Sequence, residues 1–80
     1  MLESPAYHEI REEAREEGRE EGRQEVLRED VLAALEVRFG AVPEALTEQV
    51  RRRQGRTELE GLHRRAIVVE SLETFARELE

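Results

Sequence analysis

The sequence predicts an all-α protein: one long helix over about residues 5 to 39, then three short helices that form a small bundle. Three observations carry this. No proline falls between Pro5 and Phe39, the apolar residues from Val26 onward recur at steps of three and four, and the later segments open on residues that start helices. No segment reads as a strand, because "AIVVE" at 66–70 is short and flanked by helical signals.

Ser4-Pro5 is a helix start, since a serine hydroxyl caps free backbone N–H groups and proline at the first helical position loses no donor it needed. Arg38-Phe39-Gly40 is the matching stop, with a cation in the last turn and a glycine just beyond it. At about 1.5 Å per residue the rod between them is roughly 50 Å long. Its halves differ. Leu27, Val31, Leu32, Leu35 and Phe39 make the stripe of a helix packed on a core, whereas from Arg11 to Glu25 only Ala14 carries apolar area. Burial within one chain cannot hold that charged half, which is expected to project. The chain therefore divides into a charged repeat helix over 1–25, acting in oligomerisation or as a tether, and a small helical domain over 26–80.

A second helix opens at Pro43 and runs to about Arg53, turning Ala45, Leu46 and Val50 inward. Thr57 with Glu60 three residues on predicts a capping box for the third helix, whose apolar side is Leu59, Leu62, Ala66 and Ile67. Gly61 weakens that helix slightly. Ser71 caps a last amphipathic helix with Leu72, Phe75, Ala76 and Leu79. The expected core is Leu32, Leu35, Phe39, Leu46, Val50, Leu62, Ile67, Leu72, Phe75 and Leu79.

At 80 residues a single core is marginal, so help from a partner chain is expected. Charged residues are 41% and hydrophobic ones 38%, close to disordered compositions, but the apolar residues are segregated rather than diluted. All 13 basic residues are Arg, and the net charge of −7 disfavours non-specific binding to nucleic acid or an anionic membrane. With no cysteine there is no disulfide, thiol nucleophile or thiolate metal site. No apolar run is long enough for a signal peptide core or a membrane span, which leaves the cytoplasm as the default location.

"REEAREEGREEGRQEV", residues 11–26, is four tetrads closing on Ala14, Gly18, Gly22 and Val26. A four-residue repeat drifts about 40° per step on a helix, so the stripe from Ile10 to Val26 spirals and asks a partner to wrap in the right-handed sense. Glu12–Arg15, Glu16–Arg19 and Glu20–Arg23 could each add about 0.2–0.5 kcal/mol, but each glycine costs about 1 kcal/mol relative to alanine. A lone helix loses by having them. Glycine does let another backbone approach closely, as small-xxx-small faces do, so Ile10, Ala14, Gly18, Gly22 and Val26 are the candidate oligomer contacts. The competing reading is a replicated low-complexity tether with no partner.

No catalytic residue, cofactor site, metal site or small-molecule ligand is expected. His8 and Glu12 are spaced i,i+4, but a zinc site needs three or four converging ligands. His63 has no Ser or Cys nucleophile arranged with it and reads as a helix-surface residue. The strongest rival to self-association is "RRRQGRTELEGLHRR", residues 51–65, six Arg against two Glu in an acidic chain. Its helix–turn–helix outline makes Arg51, Arg52, Arg53, Arg56, Arg64 and Arg65 candidate phosphate contacts. Arginine near a helix C-terminus also has a dipole reason, and no aromatic or base-reading set accompanies it.

"ESPAYHEIREEAREEGREEGRQE" followed by "LEVRFGAVPEALTEQV" resembles the C-terminal region of Rpn-type recombination-promoting nucleases and putative transposases, a bacterial PD-(D/E)XK nuclease group. The resemblance covers most of the chain. It implies a repeat helix followed by a small helical domain, with Arg38-Phe39-Gly40, Pro43 and Ser71-Leu72-Glu73 at the family's junction and final-helix motifs. It brings no activity: the nuclease motif needs a lysine and acidic residues on a sheet, and this sequence has no lysine and no predicted strand. The resemblance implies an appendage, either cut from a nuclease with Met1 internal or added, or standing free.

Overall fold

The computed structural model describes the backbone of residues 5–80 and the side chains from Ala14 onward; Ser4, and the side chains of His8, Ile10 and Glu12, lie outside the described residues. Four helices follow in order: α1 (Pro5–Phe39), α2 (Glu44–Arg52), α3 (Arg56–Val68) and α4 (Leu72–Leu79). This is the predicted all-α architecture, and no strand occurs among the described residues. α1 has 35 residues, about 52 Å at the helical rise, and sets the long dimension of a molecule measuring 61 × 19 × 18 Å.

The punctuation follows backbone chemistry. Gly40 ends α1 at φ 84°, a left-handed conformation that costs glycine nothing. Pro43 stands just outside α2, which begins at Glu44. Ser71 is an extended N-cap whose Oγ accepts the Thr74 backbone N–H at 3.1 Å, the cap expected for α4. The Thr57 capping box does not form. Gly55, at φ 100°, is the N-cap of α3, so Thr57 already lies inside the helix.

Val31, Leu32 and Leu35 of α1 meet Leu46 and Val50 of α2, Ala66 and Val69 at the end of α3, and Phe75 and Leu79 of α4 in one core. Leu59 is fully buried. Phe39, Leu62 and Leu72 pack on the core from its edge. Ile67 is the exception among the expected core residues: it is 51% exposed. One residue of α3 earlier, Ala66 takes the inward position, and the helical turn between neighbours sends Ile67 toward α1's outer flank.

Candidate functional site

Ala14, Gly18, Gly22 and Val26 are all exposed, Val26 at 60%. A Cβ built on Gly18 or Gly22 meets no atom within 4 Å. Nothing in the fold of one chain therefore requires glycine at either position. Beyond Val26 the same side of α1 carries exposed Ala33 and Val37, the latter 86% exposed.

The other side of α1 is tied down well before Val26. Glu20 pairs with Arg56 at 2.9 Å, and the Gln24 side-chain oxygen accepts the Gly55 backbone N–H at 3.0 Å. One turn on, the Arg28 guanidinium donates through Nε to the Arg53 carbonyl at 2.8 Å. These three side chains grip the connection between α2 and α3. Arg28 is the buried charged residue among those described, at 5% exposure, and Glu25 and Gln24 accept its two Nη groups at 3.4 Å each. The sequence does hold a signal for this. Gln24 breaks the Arg-Glu-Glu register, and an amide can donate to Glu20, as it does at 3.2 Å, while accepting from Gly55.

The arginines of residues 51–65 are largely engaged within the chain. Arg51 reaches Glu29 at 2.9 Å and Glu25 at 3.9 Å, Arg52 reaches Glu48 at 3.5 Å, and Arg53 reaches Glu58 at 2.9 Å. Arg53 also donates to the Leu79 carbonyl at the end of α4. Arg65 forms a two-point pair with Glu78 at 2.8 and 2.7 Å. Arg64 is exposed and has no ion pair among the described residues. Together with Arg38, which donates to the Ala66 carbonyl at 2.9 Å, three arginines each close the C-terminal carbonyls of a different helix: Arg28 for α2, Arg38 for α3 and Arg53 for α4. Helix C-termini leave such carbonyls without internal partners and carry partial negative charge. A planar fork that can donate to a carbonyl and a carboxylate together suits the task better than an ammonium.

Electrostatics mark the same links. Hydrogen bonds from Arg56 first, and from Gln24 next, hold the Glu20 carboxyl down to about 2. Arg65 lowers Glu78 in the same way. Both carboxylates remain open to solvent, so these shifts report orientation of the helices more than large energies.

His63 is half-buried in a shallow groove between α1 and α3, beside Asp30, Ala34, Val37, Arg38 and Ile67. Among the described residues no three His, Asp or Glu side chains are placed to share a metal ion, and no helix is long and apolar enough to cross a membrane. Compared with protein-family models, curated proteins and solved structures, the chain matches none.

Proposed function

We propose that this chain is a non-catalytic homo-oligomerisation module, whose cytoplasmic role is to hold copies of itself together through the tetrad face of α1. The observation that carries the reading is the open space over Gly18 and Gly22 on a solvent-facing helix. Each glycine costs about 1 kcal/mol there, and no contact within the chain calls for it. Room for a second main chain is a physical reason to keep both. The engaged state of the 51–65 arginines favours this over phosphate binding, because five of the six candidate residues already face carboxylates. If the Rpn-like resemblance is a true kinship, the module brings neighbouring nuclease domains together, and two-metal cleavage belongs to those domains.

Sedimentation velocity across a range of concentrations tests the proposal. The expected result is a dimer or larger species that dissociates on dilution, and that is disrupted or re-registered when Gly18 and Gly22 are both replaced by leucine. A monomer at every concentration would leave the tether reading in its place.

A further inference from the structure

Resting on the self-association reading, the charge layout of α1 and α3 selects the orientation of the two copies. We infer that two chains pair about a two-fold axis running along α1, with their long helices parallel, across a face that continues from Gly22 to Val37 and takes in the exposed Ile67.

Gly22, Val26, Ala33 and Val37 fall within about 60° of one another around the helix, on the side opposite Val31, Leu32 and Leu35. They form a straight lane. Val26, Val37 and Ile67, at 60%, 86% and 51% exposure, put large apolar side chains along it, where scattered polar residues would be the rule for a helix back.

The two edges of the lane carry opposite charge. On the edge turned toward α3 stand Arg19 and Arg23, and α3 adds the exposed Arg64 one turn before Ile67. On the edge turned toward α2 stand Glu21, Glu25 and, further along, Glu36. Glu16, beside Arg19 and Arg23, and Asp30, in the groove beside His63, are acidic exceptions of α1 on the basic edge. α3 lies on the basic side because Arg56 meets Glu20 and Arg38 meets Ala66, while α2 lies on the acidic side because Arg51 meets Glu25 and Glu29.

Symmetry then decides. A two-fold axis along the helices exchanges the edges, so the basic edge of each copy lies against the acidic edge of the other. An axis perpendicular to the helices keeps each edge on its own side, so arginine meets arginine and glutamate meets glutamate. Opposed like charges are penalised and opposed unlike charges favoured, which is how edge charges set helix orientation in coiled coils. An isologous interface must satisfy this along its whole length.

The chain has no cysteine, so single cysteines report the orientation directly. Val26→Cys and Val37→Cys sit about 16 Å apart along the lane, and a disulfide needs Cα atoms about 4.4–6.8 Å from each other. In the parallel pair each variant links to its own copy under mild oxidation, doubling its mass, whereas Glu44→Cys on the distant α2 surface stays single. In an antiparallel pair at most one of the two variants links to itself, and mixing them gives a 26-to-37 link. That result, or a dimer by sedimentation in which neither cysteine reacts, overturns the orientation and leaves self-association standing. A chain that sediments as a monomer throughout overturns both.

Discussion

Arg28 Nε donates to the Arg53 carbonyl at 2.8 Å, joining the middle of α1 to the end of α2 across 25 residues of sequence. A guanidinium at 5% exposure is tolerated here because Arg53, Glu25 and Gln24 all accept from it. Replacing it with methionine keeps most of the volume and removes every donor, leaving the Arg53 carbonyl without that partner. Arg28→Met is expected to lower unfolding free energy by about 1–3 kcal/mol, the cost of an unmade bond to a charged donor. Urea denaturation at fixed protein concentration measures it, the concentration being held because any assembly adds its own stabilisation. A midpoint equal to that of the parent chain would show that the buried arginine is not what fastens α2.

The Glu20–Arg56 pair gives a pH signature. Arg56 and Gln24 hold the Glu20 carboxyl at about 2, below its ordinary 4.5, so the folded state favours the ionised form. The pair's contribution is fully present above the ordinary value and is lost as pH falls from about 4.5 towards 2. Glu20→Gln removes the charge at every pH. The stability gap between the parent and Glu20→Gln should therefore be constant near neutrality, shrink below 4.5 and close near 2. A gap that stays the same down the acid limb would mean that the ion pair does not form in solution.

Much of this architecture was legible because it rests on local rules. Pro43, Gly40 and Ser71 mark helix ends through their own backbone or side-chain chemistry, and the three-and-four spacing of Leu32, Leu35 and Phe39 needs no knowledge of the partner helices. What was hidden depends on how helices meet. Thr57 and Glu60 have the spacing of a capping box, but with Gly55 at positive φ as its N-cap α3 starts two residues earlier. Ile67 and Ala66 are adjacent apolar residues, and only the direction in which α3 crosses α1 decides which is buried. The arginines at 51–65 read as an exposed basic island because their partners, Glu20, Glu25, Glu29 and Glu78, are distant in sequence. For the candidate face, the tetrad positions were visible, while its continuation through Ala33 and Val37 appears only once the core side of α1 is known.

Leu35 and Ile67 separate folding from assembly. Leu35 is fully buried, so Leu35→Ala should cost about 2–5 kcal/mol in unfolding free energy through lost transfer and a residual cavity. Ile67 is half exposed beside the lane, and Ile67→Ala should change the stability of the isolated fold little while weakening self-association several-fold. Denaturation of dilute protein reads the first effect, and sedimentation of concentrated protein reads the second. An Ile67→Ala chain that associates as strongly as the parent would remove α3 from the interface.

Edge charges offer the last test, because they can be exchanged without touching the lane. Glu21→Arg with Glu36→Arg makes the acidic edge basic like its counterpart, and Arg19→Glu with Arg23→Glu makes the basic edge acidic like its counterpart. Each double variant then opposes like charges in a pair with itself, so each should associate several-fold more weakly than the parent. Mixed together, one presents arginine wherever the other presents glutamate, and a mixed dimer should form with at least the parent's strength. The recovery should fade as salt rises, since exposed charges are screened over about 8 Å at physiological ionic strength. Circular dichroism on each variant confirms that the helix itself is kept. Were both variants to self-associate like the parent at low salt, the charged rows would have no part in how the copies meet, and packing of Gly22, Val26 and Val37 alone would have to account for the assembly.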